Sequence, residues 1–306
     1  MSGTEFSHIP VMLSECIDGL CIKPGGIYVD GTLGGCGHSS VILKNGGRVI
    51  GIDRDETAIK NANEKYPEII TVHDNYSNII NVLNNLDIKQ IDGALLDLGV
   101  SSYQLDTPER GFSYRFDAPL DMRMDTSKGI TAYDVVNGYS QAQLEKIFFS
   151  YGEEQYSRAI AASIVKRREV SPIATTMQLS DLICASVPPK ARRGKHPAKK
   201  VFQAIRIEVN GELSVLEQTM YDFASVLKPG GRLAVITFHS LEDRAVKNAF
   251  AHLTKGCECP PDFPVCVCGK KPQGKLLSRK PILPSDGELS KNPRSASAKL
   301  RIFIKS

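Results

Sequence analysis

Three acidic residues stand where short apolar runs give way to turns: Asp30, Asp53 and Asp97. The first opens the stretch Asp30-Gly-Thr-Leu-Gly-Gly-Cys-Gly-His38, in which Gly35 and Gly37 let a main chain approach a ligand that a Cβ would exclude. The stretch lacks the Gly-Lys-Ser/Thr ending of a P-loop, which disfavours a bound triphosphate. Asp53 follows Gly35 by 18 residues, a place from which a carboxylate accepts both hydroxyls of an adenosine ribose. A nicotinamide dinucleotide and S-adenosylmethionine share that ribose, so Asp53 does not choose between them. The charge at the turn does: a pyrophosphate suits an acidic neighbour poorly, and a sulfonium with its amino acid suits Asp30 well.

Two more segments fall where such a nucleoside would lie. His73-Asp74-Asn75-Tyr76 offers side chains to an adenine, and Asp97-Leu-Gly-Val-Ser-Ser-Tyr-Gln104 ends a run at the edge where α/β proteins hold their ligands. Elsewhere Lys190, Arg192, Arg193, Lys195, Lys199 and Lys200 cluster around His196, with no acidic residue from Pro188 to Arg206. Such a stripe fits a phosphate backbone, whose affinity comes largely from counterion release. Cys257, Cys259, Cys266 and Cys268 form two pairs. Four thiolates can bind zinc, but one residue separates each pair where structural zinc sites usually have two to four. No metal is therefore expected, and a reduced, proline-pinned hairpin is the alternative to zinc.

The elements that must position these residues alternate. Strands are predicted at Ile27–Asp30, Arg48–Asp53, Ile69–His73, Ile91–Leu98 and Arg232–Phe238. Helices are predicted between the first four, at Gly37–Lys44, Glu56–Tyr66 and Tyr76–Leu86, the order of a parallel sheet covered on both faces. After the fourth strand the rhythm breaks for longer than any ordinary connection. An inserted lobe is expected there. It opens with the irregular Glu109–Asp125 and continues as helices at Ala142–Tyr151, Tyr156–Arg168, Met177–Ser186 and Val201–Asn210. A helix at Leu213–Leu227, stopped by Lys228-Pro-Gly-Gly, leads back to the sheet, and Lys299–Lys305 reads as a final strand. The domains are thus a sheet domain over 1–105 and 211–306, interrupted by a helical domain over 106–210.

At 306 residues with 42% hydrophobic content the chain can bury such a core. No run approaches the roughly 18 apolar residues of a membrane span, and the N-terminus has no signal-peptide pattern. A cytoplasmic location with reduced cysteines is expected. Net charge is +4 but unevenly spread: residues 1–105 carry 7 basic and 13 acidic side chains, residues 251–306 carry 11 and 4.

Across nearly its whole length the sequence resembles the bacterial ribosomal RNA small-subunit methyltransferase H family. The resemblance is carried by His8-Ile-Pro-Val-Met, Val29 to Ser39, Gly51-Ile-Asp-Arg-Asp55, Leu96 to Ser102, Arg110-Gly-Phe-Ser, Pro119 to Asp125, His196 to Arg206, Thr237-Phe-His-Ser-Leu-Glu-Asp-Arg244 and Asn292 to Arg301. It implies a Rossmann-like class I S-adenosylmethionine-dependent methyltransferase with an inserted, mainly helical substrate-recognition domain. It further implies N4-methylation of a cytidine in the decoding region of 16S ribosomal RNA, within the small ribosomal subunit. The cofactor residues it implies are Cys36, Gly37 and His38 in the turn, Asp53 at the ribose, Tyr76 near the adenine, and Asp97 and Gln104 near the reacting end. Relatives often carry Ala or Gly where Cys36 stands, and only its backbone is expected to matter.

An exocyclic amine conjugated to its ring attacks a methyl sulfonium poorly unless an acceptor draws on its hydrogen. Asp97 is the first candidate for that acceptor and His239 the second, with a structural histidine as the alternative for His239. The Asp/Asn-Pro-Pro-Tyr motif of many amino-methyltransferases is absent, as is a Pro-Cys after the fourth strand that methylation at ring carbon 5 would use. The base must leave its stack to be reached. Phe112, Tyr114, Arg115 and Phe116 either clamp it or pack the insert. Lys199, Lys200 and Arg206 are the expected phosphate contacts, with Arg115 beside them, and a homodimer is left open.

Overall fold

The computed structural model describes residues 9–194, 196–257, 259, 265 and 267–306. In chain order the first elements are α1 (Leu13–Leu20), β1 (Ile27–Asp30), α2 (Gly37–Lys44), β2 (Arg48–Asp53), α3 (Glu56–Lys65), β3 (Ile70–His73), α4 (Ile79–Asn85) and β4 (Ile91–Asp97). Six helices follow: α5 (Ser102–Asp106), α6 (Ala132–Gly138), α7 (Gln141–Ser150), α8 (Ser157–Arg168), α9 (Thr176–Ser186) and α10 (Ala198–Asn210). The chain then gives α11 (Leu216–Val226), β5 (Leu227–Thr237), α12 (Ser240–Thr254), β6 (Gly274–Leu276), α13 (Asp286–Lys291) and β7 (Lys299–Lys305).

Two compact units result, Met1–Gly99 with Leu213–Ser306, and Val100–Glu212. The first is built on one sheet of order β3-β2-β1-β4-β5-β7-β6. Strands β1 to β5 pair in parallel, and β7 runs antiparallel to both β5 and β6. Successive side chains of a strand face opposite sides, and here both sides are dry. Val29, Ile50, Ile52, Leu96, Leu233 and Val235 enter one buried cluster with α4, α11 and α12. Tyr28, Val49, Leu95, Ala234 and Ile236 enter another with α1 and α2. Continuous β-branched and leucine runs are what strands covered on both faces require.

Strand order reverses between β1 and β4, so the connections leaving them diverge and open a crevice at their carboxyl ends. Asp30 and Asp97 terminate these two neighbours. Lys228-Pro-Gly-Gly, expected to be the stop before a strand at Arg232, is an excursion inside β5. Pairing jumps from Ile91 with Leu227 to Gly93 with Arg232. The excursion is held where Lys228 Nζ donates to Asp92 Oδ2 at 2.7 Å. The strand ends at Thr237, one residue early, because Phe238 N turns away to donate to Glu242 Oε2 at 2.8 Å.

The second unit has its own core. Leu144, Phe148, Ile160, Ile164, Leu179, Ile183, Val201 and Ile205 repeat at helical spacing and are buried together. It begins before the expected residue 106. A capping box in which Ser101 Oγ accepts from Gln104 N, and Gln104 Oε1 from Ser101 N, starts α5, and Leu105 packs on this core. Among the described residues no helix is long and apolar enough to cross a membrane.

Candidate active site

The rim at the ends of β1, β2 and β4 is assembled by hydrogen bonds between distant parts of the chain. Asp53 Oδ2 accepts from Gly34 N and its Oδ1 from Asp55 N, both at 2.8 Å. The carboxylate therefore fixes the glycine turn from the neighbouring strand. Gly34 sits in the left-handed region at φ 46, where a β-carbon strains the backbone. A Cβ at Gly31 would lie 2.4 Å from Leu96 Cδ2 and 3.0 Å from Tyr76 Cβ, so any larger residue there would displace Leu96 and crowd Tyr76. Cys36 also takes the left-handed conformation, at φ 63, as the N-cap of α2, and its side chain is buried. Burial, with Asp30 and Asp53 adding, pushes its thiol up to about 12, so it is no nucleophile.

Asp30 is buried, accepting from Ser39 Oγ at 2.6 Å and Thr32 N at 3.2 Å. Burial holds its carboxyl above the ordinary range. His38 is spent structurally: Nε2 lies 3.0 Å from Val11 O, and burial lowers its pKa, so the ring is neutral. Asp97 differs from both. Its backbone N donates to Thr32 Oγ1 at 2.7 Å. Its carboxylate oxygen Oδ1, however, is buried with no hydrogen-bond partner among the described residues. Burial first, then Asp30 and Glu242, push the Asp97 pKa up to about 8. Burial likewise raises Asp53 to about 6, although the amides of Asp55 and Gly34 oppose it.

Such a cluster is unstable toward an anion and receptive to a cation. An unpartnered buried oxygen lacks a donor or a positive charge, and three carboxyl groups of raised pKa surround the turn. A pyrophosphate would be repelled there. A nucleoside carrying a sulfonium and an amino group fits.

The structure brings Gly35, Cys36, Gly37, His38, Asp53, Tyr76 and Asp97 into this unit but not Gln104, which belongs to the second unit and caps α5. His239 is the N-cap of α12. Its Nδ1 accepts from Glu242 N at 3.4 Å, and its Nε2 lies 3.0 Å from Glu242 Oε1 without the alignment of a hydrogen bond. The ring serves the helix start. Sequence reasoning misses Glu242 as a site residue, yet it is 2% exposed and its charge acts on Asp97. The signal available is the three-residue spacing of a capping box after a strand.

In the second unit Lys199 and Arg115 are exposed, and Lys200 is exposed with Nζ donating to Glu153 O at 2.7 Å. Arg206 departs from the expected phosphate role. Both arms of its guanidinium meet Glu212 at 2.8 Å, at 16% and 7% side-chain exposure. Phe112 is buried in the core, and Tyr114 stacks on His196 with centroids 4.5 Å apart, so these two rings pack the unit while Phe116 is 43% exposed. Cys257, Cys259 and Cys268 lie in the connection between α12 and β6, and Cys266 lies outside the described residues.

A doubly covered parallel sheet of this order, with a glycine turn after β1 and carboxylates ending β2 and β4, defines a Rossmann-like class I S-adenosylmethionine-dependent methyltransferase. The chain belongs to the MraW methylase family, whose model matches residues 5–306. It is 55% identical over 302 residues to the ribosomal RNA small subunit methyltransferase H of Carboxydothermus hydrogenoformans, covering 97% of each chain. Identity to the proteins of the same name from Clostridium botulinum (strain Loch Maree) and Lachnospira eligens is 54% over 307 residues. The match covers 98% of this chain in both cases, and 99% and 98% of theirs.

Proposed function

We propose that this methyltransferase acts on ribosomal RNA of the small subunit, transferring the methyl group of S-adenosylmethionine to N4 of a cytidine in the decoding region of 16S RNA. The names carried by its relatives supply the RNA. The observation that carries the amine is the unpartnered, buried Oδ1 of Asp97 at the carboxyl end of β4.

When bound, the cofactor supplies an electrophilic methyl on a cationic sulfur. Asp53 holds the ribose hydroxyls while keeping the turn in place, and Tyr76 faces the adenine. Asp97 has two tasks. Beside a positive charge its raised pKa falls, so the carboxylate ionises when the donor is seated. It would then accept an N4 hydrogen of the incoming cytosine, helping to free the lone pair from ring conjugation, and would take the proton as the carbon–nitrogen bond forms, the carbon–sulfur bond breaks and the neutral thioether leaves. His239 and Glu242 act as the fixed start of α12 and hold Asp97 in an acidic, buried setting.

The helical unit is the substrate-recognition domain in this reading. Lys199, Lys200 and Arg115 contact phosphates and Phe116 is free to stack on a splayed base, whereas Arg206 holds Glu212. The folded decoding region of an assembled subunit, in the cytoplasm, is the substrate.

The test is transfer from methyl-labelled S-adenosylmethionine to small subunits, followed by nuclease digestion and mass spectrometry of nucleosides. N4-methylcytidine is the expected product. Label in 5-methylcytidine, in a ribose or in no nucleoside refutes the assignment.

A further inference from the structure

The rim chemistry makes no use of the late cysteines. They fall in the stretch 255–273 between α12 and β6, far longer than an ordinary connection and without helix or strand among its described residues. Its neck is tied where Gln273 N donates to Leu253 O at 2.8 Å. Beyond the neck, the sulfurs of Cys257, Cys259 and Cys268 all lie within 4.8 Å of one another. Cys257 and Cys268 are eleven positions apart in sequence, yet their Sγ atoms are 3.7 Å apart.

That spacing is too long for a disulfide and short enough for two sulfurs to share one metal ion. A disulfide would hold its sulfurs about 2.05 Å apart, whereas Cys268 Sγ donates to Cys257 Sγ across 3.7 Å. Zinc–thiolate bonds of about 2.3 Å at the tetrahedral angle set neighbouring sulfurs about 3.8 Å apart, the edge this pair already has. The one-residue spacing within Cys257-Glu-Cys259 narrows the bite of that pair. Cys259 N accordingly donates to Cys257 Sγ at 3.4 Å, the kind of N–H to sulfur contact that orients and steadies a metal-bound thiolate. Cys257 and Cys268 are exposed and Cys259 is half-buried, which leaves an entry path.

We propose that Cys257, Cys259 and Cys268 bind one zinc ion, which closes the α12–β6 connection; the fourth position falls to a further thiolate or to water. This goes beyond methyl transfer and does not depend on it. The full-length protein, purified under reducing conditions without chelator, is analysed for metal by inductively coupled plasma mass spectrometry. Cobalt(II) is then exchanged into the site. One zinc per chain is expected, together with thiolate-to-cobalt charge-transfer bands and the strong visible bands of a tetrahedral site. The Cys257→Ser, Cys268→Ser double variant should lose the metal, and Cys21→Ser, altering an exposed thiol elsewhere, should keep it. Binding of S-adenosylmethionine by the double variant reports that it folds. Metal-free wild-type protein, a Cys257–Cys268 disulfide found by mapping unreduced peptides, or zinc retained by the folded double variant would each overturn the assignment. Should the double variant not fold, the wild-type zinc content and cobalt spectrum decide alone.

Discussion

Replacing Asp97 by Asn keeps the outline of the side chain and removes its charge. The wild-type carboxyl has its pKa pushed from 3.8 to about 8, by burial first and by Asp30 and Glu242 next. In the unfolded chain the group ionises near its ordinary value; in the folded protein it holds its proton until about pH 8. Across that interval the folded state binds the extra proton, so stability is highest below the lower value and falls as pH rises. One such group gives a slope of about 1.4 kcal/mol per pH unit, so the change from pH 5 to pH 7 is on the order of 3 kcal/mol. An asparagine has no proton to lose. The difference in unfolding free energy, variant minus wild type, should therefore grow by about that amount over this range. Denaturant titrations at constant ionic strength measure it, and the unfolding slope against denaturant should be unchanged. The variant should gain stability while losing methyl transfer, as expected where a functional group is held in a costly place. Parallel pH profiles for the two proteins would refute the reasoning, because they would mean that the carboxyl is ionised in the free protein.

The two basic positions near the start of α10 and the arginine further along it separate electrostatics from architecture. Lys199→Glu with Lys200→Glu should weaken RNA binding and lower the slope of log K against log salt by about 1.5, at about 0.7 to 0.9 for each phosphate no longer neutralised; an unaltered slope in filter binding removes this patch from the interface. Arg206→Ala should instead leave that slope unchanged and destabilise the fold by about 3–5 kcal/mol, since it takes the bidentate partner from a buried Glu212. Denaturation and RNA titration of the same variant check both parts.

The parallel strands are legible because each is a continuous apolar run bounded by glycine or acid. Ile27–Asp30, Arg48–Asp53 and the antiparallel Lys299–Lys305 fall where the sequence puts them. Local signals mislead where a long-range contact decides the outcome. Lys228-Pro-Gly-Gly has every mark of a stop, yet Asp92, 136 residues away, holds it in β5. Helix α12 is absent from the sequence reading although Val246, Ala249, Phe250 and Leu253 repeat at helical spacing, because the motif at its start suggests chemistry before it suggests a cap. At the site, the identity of Asp30, Asp53 and Asp97 is visible. Their burial is not. The pKa of Asp97 depends on Glu242, and its backbone is pinned by Thr32, 65 residues distant. Arg206 looks like part of a basic stripe because its partner, Glu212, follows beyond the stretch free of acids.

The central claim is that the carboxyl of Asp97 stands beside the sulfonium. Calorimetric titration at pH 7, in buffers of different ionisation enthalpy, counts the protons released on binding S-adenosylmethionine and its neutral thioether product, S-adenosylhomocysteine. The two ligands differ by the methyl group and one positive charge. With a pKa of about 8 the free carboxyl is about nine-tenths protonated at pH 7. The sulfonium should therefore release nearly one proton more than the thioether, and Asp97→Asn should abolish the difference. Equal proton release by the two ligands in the wild-type protein would contradict the account.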